Sequence, residues 1–176
     1  MGDLNKWFAI NVLTTGGTIE KTYDESDGTL FNRETIIKKK INDKLRLPYT
    51  EIRVSSIMNI DSLDMVDSDR EIILEKITSL CSSDGNPIVV LHGTDTMQLT
   101  AELVQKQFSN PNVPIVFTGA MKPLGFDDSD AVQNVTEALI AAQILNPGVY
   151  ISFHNRIYQV PGVRKNKPFG TFEKFE

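Results

Sequence analysis

Two threonine-bearing strings follow short hydrophobic runs in this chain. Thr14-Thr15-Gly16-Gly17-Thr18 follows Phe8–Leu13, and His92-Gly93-Thr94-Asp95-Thr96-Met97 follows Ile88–Leu91. A threonine hydroxyl attacks a carbonyl carbon once a neighbouring base takes its proton. Thr18 is the candidate attacker, because the glycines before it allow close approach of a ligand to the backbone. Successive N–H groups in such a turn can also form an anion-binding nest. The plainer reading of the glycines alone is a tight strand exit. The string lacks the spaced glycine and the lysine of the nucleotide-binding fingerprints. Thr94 or Asp95 fits the N-cap of a following helix, and the donors of that helix start suit an anionic substrate. His92 reads as a packed, hydrogen-bonded histidine rather than a catalytic one.

Three further strings belong with these. Asp61-Ser62-Leu63-Asp64-Met65 follows the β-type run Glu51–Ile57, which makes Ser62 a candidate for gripping a substrate carboxylate. Thr118-Gly119-Ala120-Met121 can offer a backbone N–H to a developing oxyanion. Lys165 lies in the basic tail Val163-Arg164-Lys165-Asn166-Lys167, where solvated surface is the ordinary expectation. Desolvated beside Thr94 and Asp95, it becomes a proton acceptor.

Alternating elements must position these groups. β-type runs cover Phe8–Leu13, Glu51–Ile57, Ile88–Leu91, Val113–Phe117 and Val149–Phe153, with Arg156–Val160 pairing as a short hairpin. Helical periodicity covers Arg33–Leu45, with Asn32 as cap and Ile36, Ile37 and Ile41 on one face. It recurs over Ser68–Leu80, with Ser68 as cap and Ile72, Ile73, Ile77 and Leu80 in register. Two further helices are expected over Asp95–Phe108 and over Asp128–Leu145, the latter with Val132, Val135, Leu139 and Ile140 inward. Residues 14–32 lack periodicity and read as a long loop of the lid or binding type. The tail from Pro161 reads as irregular. Strands alternating with helices predict an α/β fold, an open three-layer sandwich with a mostly parallel, flavodoxin-like sheet and helices on both faces. Right-handed crossovers put the strand-to-helix loops on one edge. A strand order of 2-1-3-4-5 then brings Thr18 and Thr94 together at the switch point.

The chain has 176 residues, which fits one domain with a real core. Apolar residues make up 40% and charged ones 23%, with a net charge of −5. The acidic balance argues against nucleic acid or an anionic membrane as partner. No stretch reaches the length of a membrane span. The first residues carry neither a basic n-region nor a cleavage site, so a cytoplasmic location is expected. The lone Cys81 rules out an intrachain disulfide, fits a reducing compartment and reads as structural. Two histidines, His92 and His154, argue against a His-based metal site.

Together the strings resemble the N-terminal domain of the bacterial-type L-asparaginases. The matching pieces are Thr15-Gly16-Gly17-Thr18-Ile19, Ile60-Asp61-Ser62-Leu63-Asp64-Met65, His92-Gly93-Thr94-Asp95-Thr96-Met97 and Thr118-Gly119-Ala120-Met121-Lys122-Pro123. The resemblance implies that Thr18 is the acyl-accepting nucleophile and that Thr94, Lys165 and Asp95 form a second catalytic constellation. It implies further that Asp95 binds the α-amino group, that Ser62 grips the α-carboxylate and that Tyr23 matches a catalytic tyrosine. Asp61, Gly93 and Ala120 join Ser62 as expected substrate contacts.

The chain departs from the pattern in three places. Leu63 stands where many members have a glutamine that helps bind substrate. The segment Val163–Phe172 is short, and Lys165 rather than Lys167 is the preferred match. The second domain of the usual chain is missing, so residues 1–176 resemble the short single-domain subclass. The expected activity is hydrolysis of L-asparagine to L-aspartate and ammonia, with L-glutamine left open as a substrate, without metal or organic cofactor, in a homodimer or higher homo-oligomer. The alternative is a non-catalytic amino-acid-binding or regulatory domain that keeps Ser62 and Asp95. A flavodoxin-like nucleotide binder rests on fold analogy alone.

Overall fold

The structure is a computed structural model that describes residues 7–32 and 37–175. The chain opens with β1 (Phe8–Thr14), then a short 3₁₀ turn over Thr18–Glu20 and a hairpin of β2 (Lys21–Asp24) and β3 (Thr29–Asn32). Next come α1 (Ile37–Lys44), β4 (Thr50–Ser56), α2 (Asp67–Ser83), β5 (Ile88–Leu91) and α3 (Met97–Gln107). The rest is β6 (Pro114–Thr118), α4 (Ala131–Ile144), β7 (Gly148–Phe153), β8 (Arg156–Gln159), β9 (Val163–Asn166) and β10 (Thr171–Lys174).

The main sheet has the order β4-β1-β5-β6-β7-β8. Its first five strands pair in parallel, and β8 returns antiparallel to β7 at the edge. This is the expected flavodoxin-like order, with β1 between β4 and β5 at the switch point.

Strand alternation sends successive side chains to opposite faces. Leu13, Ile88, Val90, Ile115 and Phe117 face one core with Ile73 and Ile77 of α2 and Met97, Ala101 and Val104 of α3. Val12, Val89, Leu91 and Val116 face the other with Ile41 of α1 and Ala131, Val135, Ala138 and Leu139 of α4. Both faces are covered, so the central strands read as unbroken apolar runs. Among the described residues no helix is long and apolar enough to cross a membrane.

Several expectations need correction. Residues 14–32 are not a bare loop, because Lys21–Asp24 pairs antiparallel with Thr29–Asn32. The turn between them is closed by side chains: Asp24 accepts from Ser26 N–H and Asp27 from Thr29 N–H. The tail is not irregular. β9 and β10 pair, and Val163 and Phe172 enter the first core, with the Phe172 ring edge-on to Phe153 at 5.1 Å. A two-stranded ribbon shows no long period, so it escaped the pattern reading.

The helix ends also differ. α3 begins at Met97 after Thr96, so neither Thr94 nor Asp95 caps it. α2 begins at Asp67, one residue before Ser68, and Asp69 closes its first turn by accepting from Val66 N–H at 2.9 Å. Ile140 of α4 and Ile72 of α2 point outward and are exposed. For the first predicted helix, Arg33–Ile36 lie outside the described residues, and Ile41 is buried. Cys81 is buried within α2, and burial pushes its thiol up to about 11, in keeping with a structural role.

Candidate active site

Four strand-end loops meet on one edge of the sheet, and backbone hydrogen bonds stitch them together. Gly17 N–H donates to Ile60 O and Ile60 N–H to Thr15 O, each at 3.1 Å. Both the N–H and the hydroxyl of Thr15 donate to Leu91 O at 3.1 Å, and His92 N–H donates to Thr118 O at 2.9 Å. The loops pack without room for side chains at two points. A Cβ on Gly17 would lie 2.5 Å from Gly93 Cα, and a Cβ on Gly93 would lie 2.5 Å from the Ser62 side chain. Gly17 also sits at φ +80°, where an L side chain is strained. The glycines therefore do more than end a strand: they allow the Thr18 loop and the Thr94 loop to touch. Gly17→Ala is expected to destabilise the fold by about 3 kcal/mol, combining φ strain with overpacking, as read by denaturant unfolding.

β9 delivers the lysine. Val163 is buried in the core, Arg164 points out to Glu173, and Lys165 returns to the inner face two residues on. Lys165 Nζ donates to Thr94 Oγ1 at 2.7 Å and to Asp95 Oδ1 at 3.0 Å. The lysine side chain is 13% exposed, so this pair is largely removed from water. Thr94 Oγ1 accepts from the ammonium, so its own proton turns the other way, where Met121 Sδ lies at 3.8 Å. Lys167 is exposed, beyond the end of β9.

Met121 leads to Thr18. Thr18 is half-buried at the first position of the 3₁₀ turn. It lines a cavity of about 520 Å³ with Lys21, Leu30, Met121, Pro123 and Phe126. Lys21 Nζ donates to Asp61 Oδ2 at 2.7 Å. The Asp61 carboxyl is held below the usual range, first by this hydrogen bond and further by Leu63 N–H and the charge of Lys165, against an opposing effect of burial.

The other expected substrate contacts fall in different settings. Ser62 is buried against Gly93, and its carbonyl accepts the Thr96 hydroxyl at 2.7 Å. Ala120 is buried as well. The Leu63 side chain is 68% exposed. Tyr23 on β2 is 59% exposed and lines a small cavity with Thr22 and Gly125, which shares Lys21 and Phe126 with the one that Thr18 lines.

Two supports hold the site, and the sequence reading singled out only the second. The first is Asp130, just before α4. Its carboxylate accepts from Met121 N–H and Lys122 N–H at 3.0 Å, from Asn134 Nδ2 at 2.9 Å, and pairs with His154 Nε2 at 2.9 Å. Burial pushes this carboxyl up, but the N–H groups of Met121 and Lys122 and the His154 ring outweigh it and hold it below the usual range. The Met121 N–H is thereby committed and is not available as an oxyanion donor. Asp130→Ala is expected to cost about 2–4 kcal/mol through several lost hydrogen bonds to one charged acceptor. A carboxyl depressed on folding stabilises above the unfolded carboxylate range, near pH 4, and loses that contribution as pH falls through its folded value. The gap between the two proteins in urea should therefore shrink on acidification.

The second support is His92. It is fully buried, its Nδ1 lies 2.8 Å from Gly93 O and its Nε2 lies 2.9 Å from Thr100 Oγ1. Burial pushes the ring down to about 4, so it is neutral at pH 7. The carbonyl only accepts, so Nδ1 carries the proton and Nε2 accepts from Thr100. A packed, hydrogen-bonded histidine thus pins the loop that carries Thr94. Among the described residues no group of three or more His, Cys, Asp or Glu side chains is gathered as a metal ion would need.

This arrangement has relatives. The family model "Asparaginase, N-terminal" matches residues 9–176. An L-asparaginase of Thermococcus kodakarensis is 29% identical over 147 residues, covering 83% of this chain and 44% of that protein. A glutamyl-tRNA(Gln) amidotransferase subunit of Methanococcus vannielii is 31% identical over 153 residues, covering 84% of this chain and 34% of that protein. Among solved structures, the thermostable L-asparaginase of Thermococcus kodakarensis superposes with a TM-score of 0.84 at 29% identity, over 95% of this chain and 51% of that one. L-asparaginase I of Vibrio cholerae superposes with a TM-score of 0.79 at 26% identity, over 96% of this chain and 51% of that one. The chain spans about half the length of those structures and less of the two curated relatives. With the family match over nearly its whole length, and with this fold, the chain belongs to the asparaginase family through that family's N-terminal region.

Proposed function

We propose that this chain hydrolyses the side-chain amide of L-asparagine through an ester on Thr18. The observation that carries this reading is the Lys165 ammonium on Thr94 Oγ1 and Asp95 Oδ1, held in a loop whose Gly93 meets Gly17. Thr18 Oγ bonds to the amide carbon, and its proton moves through Thr94 and Lys165 towards the amide nitrogen. The C–N bond breaks, ammonia leaves, and Thr18 holds the acyl group. Water then attacks the ester carbon, gives one proton back to Thr18 Oγ and releases L-aspartate. The steps balance with water as the only co-reactant. Backbone N–H groups near Thr94 and Ala120 steady the oxyanion, each worth about 3 kcal/mol in such sites. The β2–β3 hairpin stands over the cavity through Leu30 and Lys21 and suits a lid.

A second reading draws on the relatives named as components of a glutamyl-tRNA(Gln) amidotransferase. In it the same chemistry acts on glutamine and frees nitrogen for an acceptor. Ammonia release by the purified chain, followed separately with L-asparagine and L-glutamine, tests both. Release from asparagine is the expected result. Release from glutamine alone favours the second reading, and release from neither overturns both.

A further inference from the structure

Met121 places a thioether where the Thr94 loop meets the cavity that Thr18 lines. Its Sδ lies 3.8 Å from Thr94 Oγ1, and the residue itself lines that cavity of about 520 Å³. The other described methionines are placed differently. Met65 and Met97 are 5% and 0% exposed inside the first core. Met58 is partly buried against the same core and does not line the cavity. The lone thiol, Cys81, is buried in α2 and is a poor competitor for an oxidant. The backbone under the Met121 sulfur is also fixed. Its N–H donates to both carboxylate oxygens of Asp130 at 3.0 Å, and that carboxylate is tied in turn to Asn134 and His154.

We propose that Met121 is a modification site: a peroxide oxidises its thioether to the sulfoxide, which switches the site off until a thiol-dependent reductase restores it. The inference rests on the amidohydrolase reading and adds a control to it. With hydrogen peroxide, a sulfur lone pair bonds to one peroxide oxygen and the O–O bond breaks. The other oxygen leaves as water with both protons. Sulfur is oxidised and the peroxide is reduced. The return step consumes two thiols, which leave as a disulfide and one water. A thioether sulfur accepts hydrogen bonds weakly, whereas the sulfoxide is polar and its oxygen accepts strongly. One flank of the Met121 side chain packs on the first core, where an unpaired polar oxygen is costly. The added oxygen therefore turns to Thr94 and the cavity. There it captures the Thr94 O–H that the proposed reaction keeps in motion, and it fills space beside Thr18.

The test treats the unmodified chain, Met121→Leu and Met58→Leu with hydrogen peroxide. Peptide mass spectrometry follows the gain of one oxygen at each methionine, and ammonia release from L-asparagine is read against each protein's own untreated rate. Met121 should gain oxygen ahead of Met65 and Met97. Ammonia release should fall roughly 10- to 100-fold in step with it, the loss expected when a reacting group is displaced by about 1 Å. Met58→Leu should lose activity as the unmodified chain does. Met121→Leu, an exchange that conserves volume, should keep most of its own untreated rate. Reductases for both sulfoxide epimers, supplied with a dithiol, should return the lost activity. Met121 left as the thioether while Met58 is oxidised, undiminished ammonia release with Met121 oxidised, or equal inactivation of Met121→Leu would each overturn the assignment. If the untreated chain releases no ammonia, the amidohydrolase reading fails separately. Calorimetric titration with L-asparagine before and after peroxide then decides: binding weakened about tenfold or more supports the switch, and binding unchanged, or absent from the start, overturns it.

Discussion

Thr18→Ala is expected to lower kcat for ammonia release from L-asparagine by at least about a thousandfold, since removal of a nucleophile leaves only the rate that binding and the oxyanion site support. The variant should fold normally. The turn that presents Thr18 is closed by backbone bonds, Glu20 N–H to Gly17 O at 3.1 Å and Lys21 N–H to Thr18 O, and needs no hydroxyl. Thr18 is half-buried, so the lost methyl and hydroxyl open no core cavity. Unfolding in urea should agree with the unmodified chain within about 0.5 kcal/mol, the usual range for surface changes. Intact-mass spectrometry during turnover gives an independent readout: an aspartyl ester should accumulate on the unmodified chain and not on the variant. Full activity in Thr18→Ala would end the nucleophile assignment.

Lys165→Met is expected to cost roughly 10²- to 10⁴-fold in kcat, the range for a group that moves a proton in the transition state. Two atoms lose their donor at once, Thr94 Oγ1 and Asp95 Oδ1. The Thr94 proton then has no reason to point towards Met121 and the cavity. Thr94→Val should fall in the same range, and the double variant should lose little more than either single one, because groups that act as a unit are not additive. Lys167→Met serves as the control. Lys167 is exposed, beyond the end of β9, and its loss should leave kcat/KM unchanged. If Lys167→Met rather than Lys165→Met abolishes ammonia release, the proton path drawn through Thr94 is wrong.

The apolar runs at Phe8–Leu13 and Ile88–Leu91 and the crossover helices between strands were enough to predict the sheet order, because parallel strands buried on both faces leave an unmistakable hydrophobic pattern. The site was legible where its residues lie at the ends of those strands. Thr18, Asp61, Ser62 and Thr94 all lie in loops within six residues of a strand's end, and topology assigns those loops to one edge. Elements without a period were not legible. The β2–β3 and β9–β10 ribbons are four residues a side and look like loops in one dimension. Tyr23 stands two residues from Lys21 on the same face of β2, a placement that only the pairing with β3 fixes.

Residue types and their order along the chain were thus sufficient for the α/β class, the switch point and the pair of threonine turns. Which lysine lies against Thr94 and Asp95 was a three-dimensional matter. It depends on Val163 and Phe172 anchoring a short ribbon in the core, so that a two-residue repeat carries Lys165 inward to Asp95. Asp130 binding Met121 N–H and Lys21 bridging to Asp61 were equally invisible beforehand. Hydrophobic periodicity is a property of neighbours in sequence, whereas a charge pair forms between groups that only folding brings within about 3 Å.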